Sequence, residues 1–140
     1  MRITLSRRGD YAVRAVLALA EHEIDVGDGR LSTRRIADRM HIPAPFASHV
    51  LADLVRAGLV TASAGRRGGY RLAVSPDAIT VLRVFDAAEG REAAPRCVLR
   101  GMPCDPNGRC AVHDTVDGAI RAARAAMDGT SMTDLVRAAR

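Results

Sequence analysis

The amino-acid sequence predicts a mainly α-helical protein with one small β-hairpin, in the order of a winged helix-turn-helix followed by a long C-terminal helix. Two stretches with apolar residues at helical spacing flank a turn that contains two prolines. Two short stretches typical of β-strands then flank the glycine-rich segment 64–69, as the strands of a hairpin flank their turn. Helical spacing of apolar residues returns after residue 113 and continues for about four turns.

The composition limits the classes of protein. With 140 residues, 48% of them hydrophobic, the chain can form one domain with its own core. We expect a cytoplasmic protein with no membrane partner, because no apolar run approaches the ~18 residues of a membrane span and the N-terminus lacks the apolar stretch of a signal peptide. All 21 basic residues are arginine and the formal net charge is +5, which modestly favours a polyanionic partner. A GC-rich genome accounts for the absence of lysine without any function.

Two helices are predicted before the proline-containing turn. The first spans about residues 11–23, where apolar residues recur at intervals of three and four, and Ser6 or Asp10 could cap its start. The second spans about residues 33–40, with Ser32 as its N-cap.

The third predicted helix, from about Pro45 to Ala57, is the candidate recognition helix. Proline suits the first turn of a helix, and Gly58 marks the C-terminal end. One side of the helix is expected to be buried and the other exposed. The expected buried stripe is Phe46, Val50, Leu51, Leu54 and Val55, and the expected exposed side is Ser48, His49, Ala52, Asp53 and Arg56.

The rest of the chain is predicted to contain a hairpin and further helices. The strands of the hairpin are residues 59–63 and 70–74. A helix capped by Thr80 ends at Gly90. The remaining elements are a loop over residues 91–111, a long helix over 114–128 and a short helical turn over 130–136.

The order of helix, turn, helix and hairpin predicts binding to double-stranded DNA. A helix fits the major groove, where its exposed N-terminal side chains meet base edges, and a basic hairpin tip can reach phosphates or a narrow minor groove. The alternative is a helix-turn-helix that never contacts DNA and carries a solvated hairpin tip. The residues expected to contact DNA are Pro45, Ser48, His49 and Arg56 on the helix, and Arg66 and Arg67 at the tip.

All three cysteines lie in one glycine- and proline-rich stretch, with the spacing C-x6-C-x5-C-x2-H. Thiolates are the ligands that zinc and iron–sulfur clusters prefer. In a reducing compartment, clustered cysteines indicate metal or redox chemistry before disulfide bonds. The candidate metal ligands in this stretch are Cys97, Cys104, Cys110 and His113.

Three interpretations of the cysteine stretch stay open. A Cys3His zinc site is tetrahedral, but its ligands usually lie two to four residues apart, so the wider gaps favour an iron–sulfur cluster. A thiol redox switch is the third interpretation, because Arg96, Arg100 and Arg109 would favour the reactive thiolate form.

Several motifs of the chain occur together, and in the same order, in one family. They are GDYAV at 9–13, LVRAGLV at 54–60, GGYRL at 68–72, the three cysteines, and TSMTDL at 130–135. With these motifs the chain resembles the bacterial iron–sulfur transcriptional regulators of the IscR and NsrR type, in the Rrf-type winged-helix family.

The resemblance implies a homodimer that binds a palindromic operator, with the long last helix paired with its counterpart. It implies that Cys97, Cys104 and Cys110 hold a 2Fe–2S or 4Fe–4S cluster. The fourth ligand stays open between two residues. His113 matches the histidine of 2Fe–2S members, and Asp10 matches the aspartate that reaches across from the partner chain in nitric-oxide-sensing 4Fe–4S members.

Two features depart from the family pattern. The first cysteine gap holds six residues where five are more usual, and the recognition helix carries Ser48 and His49 where an acidic residue and a glutamine occur in the iron–sulfur-biogenesis regulators. The operator sequence therefore does not follow from the resemblance.

We therefore expect a winged-helix DNA-binding domain at 1–90, a cluster-binding loop at 91–113, and a dimerisation helix with a C-terminal tail at 114–140. The expected function is a repressor whose operator binding is gated by an iron–sulfur cluster that senses nitric oxide, redox state or iron–sulfur status. A zinc-stabilised or thiol-redox regulator without a cluster, and an iron–sulfur scaffold or electron carrier without a DNA role, are the alternatives. An enzyme is not expected, because no nucleophile–base pair or phosphate-binding loop occurs in the sequence.

Overall fold

The computed structural model describes residues 6–27, 29–90 and 110–140. The described part is mainly helical with one antiparallel hairpin, as predicted. No helix in these ranges is long and apolar enough to cross a membrane. The elements are α1 (Arg7–Val26), α2 (Thr33–Met40), α3 (Ala44–Arg56), β1 (Val60–Ser63), β2 (Gly69–Leu72), a 3-10 turn (Pro76–Ala78), α4 (Val81–Glu89), α5 (His113–Asp128) and α6 (Met132–Ala138).

Helix α1 is longer than the sequence predicts, because its first turn carries no apolar pattern. Ser6 is the N-cap, and its hydroxyl accepts a hydrogen bond of 3.0 Å from the amide of Gly9. The same hydroxyl donates to Glu89 at the end of α4. Gly9 is buried, and a Cβ at this position would collide with the ring of Phe85. The first turn of α1 is therefore fixed by close packing against α4.

The core surrounds α1, which contacts α2, α3, α4, β2 and α6. The side chains inside are almost all aliphatic, as the low aromatic content requires. Burying each large aliphatic side chain contributes about 1.5–3 kcal/mol to the free energy of unfolding. The largest fully buried side chains include Leu31, Ile36, Leu51, Leu54, Leu59, Ile79 and Met132.

The helix-turn-helix consists of α2, a short turn and α3. Ser32 caps α2 by accepting a hydrogen bond from the amide of Arg35. His41 ends α2 in the left-handed region with a φ of 52°. Beyond the end of α3, the amide of Leu59 donates to the carbonyl of Leu54 at 3.0 Å, and that of Gly58 donates to Val55 at 3.0 Å. This pair of bonds is the Schellman ending, and it aims the chain from α3 directly into the hairpin.

The hairpin forms the wing, and its strands are shorter than predicted. Val60 pairs with Leu72, and Ser63 pairs with Gly69. The wing is attached to the helices through the chain before α2, because Leu31 and Tyr70 exchange backbone hydrogen bonds of 2.9 and 2.8 Å. The position of the wing relative to α2 is therefore set by main-chain bonds as well as by side-chain packing.

Helices α5 and α6 differ in how they relate to the core. In the single chain no residue of α5 is buried, and this helix contacts α4. Arg124 joins the two helices by donating to both carboxylate oxygens of Asp86, at 3.0 and 2.8 Å. In contrast, α6 returns to the core, where Met132 and Val136 are buried. The predicted short helical turn after 130 is thus a packed helix.

A capping box fixes the start of α6. The hydroxyl of Ser131 accepts from the amide of Asp134 at 3.1 Å, while the carboxylate of Asp134 accepts from the amide of Ser131 at 2.9 Å. The side-chain hydrogen bond from Ser131, together with the backbone bond, lowers the pKa of Asp134 below its ordinary value. The charged carboxylate is therefore part of the N-terminal cap of α6.

Candidate nucleic-acid interface

The predicted DNA-contacting residues of α3 all lie at the surface. Pro45, Ser48, His49 and Arg56 are exposed. Ala52 is exposed beside them, so one side of α3 presents short or polar groups along its whole length. A helix with such a side can approach base edges without steric obstruction.

Three predictions about the two sides of α3 were wrong. Phe46 is 48% exposed and Val55 is 36% exposed, whereas Asp53 is only 5% exposed. Val55 follows Ser48 by seven residues, so two helical turns bring it to the exposed side. Phe46 lies in the first turn of α3, where its ring packs on Tyr11 of α1 with centroids 5.6 Å apart.

Asp53 is buried because two arginines neutralise its carboxylate. Arg8 of α1 donates from Nε to Oδ2 at 2.9 Å and pairs with the same oxygen through Nη2. Arg56 pairs with Oδ1 through its own Nη2. We refer to Arg8, Asp53 and Arg56 as the α1–α3 ion cluster. The cluster shows that Arg56, one of the predicted DNA contacts, is held by a carboxylate in the free chain.

The wing and the start of α2 line an open, concave basic surface whose depression has a volume of about 620 Å³. Arg66 and Arg67 are exposed at the tip of the wing, as predicted. Three further arginines join them, and no acidic residue is among the described residues that line the surface. We call this surface the arginine groove; its arginines are Arg30, Arg35, Arg66, Arg67 and Arg71.

Sequence reasoning missed three arginines of this groove. Arg30 is next to Leu31, which pairs with the wing, and its Nη1 donates to the carbonyl of Gly69 at 3.2 Å. Arg71 precedes the buried Leu72 in β2, so the alternation of a strand directs it outward. Arg35 is in the first turn of α2. Only Arg71 had a signal in the sequence, namely the alternation of inward and outward side chains along β2.

The predicted metal ligands are only partly described. Cys110 and His113 lie at the start of α5, where the amide of His113 donates to the carbonyl of Cys110 at 3.0 Å. Cys97 and Cys104 lie outside the described residues. Asp10 is half-buried in α1, and its carboxylate pairs with Arg14 at 2.9 Å. Within the described ranges, no group of three His, Cys, Asp or Glu side chains could hold a metal ion.

The whole described fold is similar to that of known regulators. The sequence profile of the family described as Rrf2, iron-dependent transcriptional regulator, matches residues 5–138. The structure of T. potens IscR covers 99% of this chain, and this chain covers 89% of it, with a TM-score of 0.76 and 26% identity. The structure of CymR, the global cysteine regulator of B. subtilis, has a TM-score of 0.78 and 25% identity. The match covers 97% of this chain and 98% of the CymR chain.

Sequence similarity extends to named regulators of other bacteria. The HTH-type transcriptional repressor NsrR of Streptomyces coelicolor is 31% identical over 134 residues, which are 96% of this chain and 88% of that protein. A Synechocystis sp. protein named as an HTH-type transcriptional regulator is 40% identical over 85 residues, 61% of this chain. That match spans 56% of the Synechocystis protein. Both the fold and the sequence therefore point to the same group of regulators.

Proposed function

Because this chain belongs to the Rrf2 family of transcriptional regulators, we propose that it is a homodimeric repressor whose hold on operator DNA is set by an iron–sulfur cluster. The observation that carries this proposal is the position of the cysteine segment in the fold. The segment follows α4, which packs on α1, and it ends at Cys110 and His113, where α5 begins. A group held there would constrain the DNA-binding helices and α5 together.

DNA binding would use two surfaces described above. The exposed side of α3 would enter the major groove, with Ser48 and His49 nearest to base edges. The arginine groove would contact phosphates, because guanidinium groups match the geometry of phosphate oxygens and a concave basic surface attracts polyanions. Two copies of α3 in a dimer would read half-sites about one DNA turn apart, roughly 34 Å.

Helix α5 would supply the dimer contact. It is amphipathic, and the single chain leaves Ile120, on its apolar face, 45% exposed. The other residues of this face, Val116, Ala123 and Met127, are half-buried. A second copy of the helix would cover this face, which is what burial of apolar surface favours.

The donor set fits an iron–sulfur cluster in its chemistry. Cys97, Cys104 and Cys110 supply three thiolates within one segment, and His113 follows Cys110 by one helical turn. His113 or Asp10 would complete the set, with Asp10 coming from the partner chain. When bound, such a cluster supplies a centre that reacts with nitric oxide and oxidants. The residues of this chain would hold it and transmit its presence through α1, α4 and α5.

The energy required for such control is small. A hundredfold difference in operator affinity between two cluster states corresponds to about 2.7 kcal/mol. By linkage, that difference must equal the difference in how well the two states fit the operator. Loss of two or three hydrogen bonds between the helices of the winged helix is of this size.

A second candidate is a thiol-based regulator without a cluster. It is supported by the clustering of the three cysteines, and the fold does not distinguish it, because CymR matches at nearly the same TM-score as IscR. In this case the cysteine segment would act through thiol oxidation. The first candidate requires iron in the purified protein, and the second requires that iron be absent.

The test is native mass spectrometry of full-length protein purified without oxygen, together with iron and sulfide analysis. The proposal requires a dimer whose added mass matches a cluster, and weaker binding to its promoter DNA after treatment with nitric oxide or oxygen. Cys104→Ser should remove the cluster and leave the dimer folded, and comparison of His113→Ala with Asp10→Ala should identify the fourth ligand. Protein that contains neither iron nor sulfide, and still binds its promoter normally, would overturn the cluster proposal.

A further inference from the structure

The α1–α3 ion cluster lies where the first turn of α1 meets the C-terminal half of the recognition helix. Its carboxylate is buried, with Asp53 5% exposed, but its two cations are not. The side chain of Arg8 is 56% exposed and that of Arg56 is 74% exposed. Two positive groups thus share one negative group, and the cluster presents a net charge of +1 to solvent.

Each guanidinium has more donors than the carboxylate uses. Arginine carries five N–H donors, and Arg8 commits Nε and Nη2 to Oδ2 of Asp53 while Arg56 commits Nη2 to Oδ1. Because the two cations bind opposite oxygens of one carboxylate, they are held close together in spite of their mutual repulsion. A second anion placed against their exposed sides would neutralise the cluster.

The cluster also borders the DNA-facing side of α3. Asp53 follows His49 by one turn, and Arg56 is on the same helix three residues later. The phosphates that line the major groove flank any helix inserted into it. Arg8 reaches this border from a different element, so it extends the basic surface beyond α3.

We propose that the α1–α3 ion cluster binds a DNA phosphate, with Arg8 as a contact from outside the recognition helix and Asp53 as the positioning residue that holds both guanidinium groups. This inference rests on the proposed DNA-binding function. A purely structural ion pair would join α1 to α3 equally well, so the test must separate the two roles. The salt slope of Arg8→Gln separates them, because only a phosphate contact changes the number of counterions released on binding. The sign of the effect of Asp53→Asn then tests whether Asp53 positions the two guanidinium groups.

The experiment measures fluorescence anisotropy of a labelled 30-base-pair duplex of mixed sequence with the full-length protein, between 50 and 200 mM KCl. No operator is needed, because phosphate contacts do not depend on base sequence. Arg8→Gln should lower the slope of log affinity against log salt concentration by about 0.9 for each protomer bound. Arg56→Gln should lower it by a similar amount.

Asp53→Asn removes a negative charge near the DNA. Simple electrostatics predicts tighter binding of this variant, whereas loss of positioning predicts weaker binding with a slope lowered as in Arg8→Gln. Asp53→Glu keeps the charge and should restore part of the affinity. Circular dichroism melting curves identify any variant that fails to fold, and the result for Arg8, whose side chain is largely exposed, does not depend on the fate of the Asp53 variants.

Arg140 and Asp25 provide a matched control. They form an exposed ion pair near the opposite end of α1, with Asp25 about 25 Å along the helix axis from Arg8. Arg140→Gln and Asp25→Asn remove the same charges as the test variants and should leave the salt slope unchanged.

Two results would overturn the proposal while the wild type still binds the duplex. An Arg8→Gln slope equal to that of Arg140→Gln would exclude the phosphate contact. Folded Asp53→Asn protein that binds as tightly as the wild type, or more tightly, would exclude the positioning role. If the wild type binds no duplex at any salt concentration, the proposed function fails and this inference fails with it.

Discussion

At the scale of single residues, Gly69 determines how closely the wing approaches the chain before α2. Its φ is 132°, and a Cβ at this position would lie 2.7 Å from the carbonyl oxygen of Leu31. That oxygen accepts the hydrogen bond from Tyr70. A side chain at Gly69 would therefore strain its own backbone and push apart the bond that attaches the wing.

We expect Gly69→Ala to lower the free energy of unfolding by about 1–3 kcal/mol. The control is Gly118→Ala in α5, where, among the described residues, no atom outside the local helix backbone lies within 4 Å of the added Cβ. There alanine should raise stability, by up to about 1 kcal/mol, because it favours the helix. Urea unfolding followed by circular dichroism measures both. Equal stability of the Gly69 variant and the wild type would contradict the assigned strain.

The role of a side chain was predictable from the sequence where its hydrogen-bond partner lies a few residues away. Ser6, Ser32 and Thr80 cap helices as the sequence indicates, because a capping side chain bonds an amide only three residues ahead. Asp53 was assigned to the wrong side of α3, because its burial depends on Arg8, 45 residues away. The sequence around an aspartate in a helix does not indicate which distant cation will cover its carboxylate.

At the scale of the element, the wing combines a rigid attachment with a basic tip. The tip turns at Gly65, where φ is 99°, and the amide of Gly68 closes the turn by donating to Gly65 at 2.9 Å. The two arginines between these glycines are thus presented on a short, closed turn. They can meet a phosphate with little loss of backbone freedom.

Arg66→Gln and Arg67→Gln should each lower the salt slope of DNA binding by about 0.9 per protomer if each arginine contacts one phosphate. The control is Arg83→Gln, because Arg83 is exposed on α4 and its Nη1 donates to the carbonyl of Ala78 at 2.6 Å. Binding to a labelled duplex is measured over a range of salt concentrations. If the salt slopes of both wing variants equal that of Arg83→Gln, the wing does not contact phosphates.

The elements themselves were largely predictable, and the surfaces built between them were not. The helix-turn-helix and the hairpin follow from periodicity and glycine positions, and α2 has the predicted bounds. The arginine groove requires Arg30, Arg35 and Arg71 to converge, which happens only when Leu31 pairs with Tyr70. That pairing joins residues 39 positions apart and has no local signal.

At the scale of the whole molecule, α5 is the element whose burial remains incomplete in one chain. We expect Ile120→Glu to convert the proposed dimer to a monomer, because it places a charge in the proposed helix pair. The thermal stability of the winged helix should change little, since no residue of α5 is buried in the single chain.

Ile24→Glu is the matched control for this prediction. Ile24 is 44% exposed on α1 and Ile120 is 45% exposed on α5, so both substitutions place a charge at an equally accessible isoleucine. Light scattering coupled to size-exclusion chromatography gives the mass of each variant. If Ile120→Glu stays dimeric, or if Ile24→Glu also dissociates, α5 is not the specific dimer contact.

The sequence predicted the order of the elements but not the packing of the last helix, α6, against the core. The sequence indicates a short helical element after residue 130, yet its apolar residues are too few to show where they pack. In the fold, the amide of Met132 donates to the carbonyl of Ile79 at 2.9 Å, and that of Val81 donates to Thr130 at 2.9 Å. These two bonds tie α6 to the start of α4.

The return of α6 has a consequence for synthesis on the ribosome. The winged helix cannot bury Ile79 and Val84 in their final environment until Met132 and Val136 have emerged, because those side chains belong to the same core. The three cysteines therefore leave the ribosome before the unit that would read DNA is finished. Translation that stops early would release an incomplete, aggregation-prone fold, rather than a folded winged helix that lacks the cysteines.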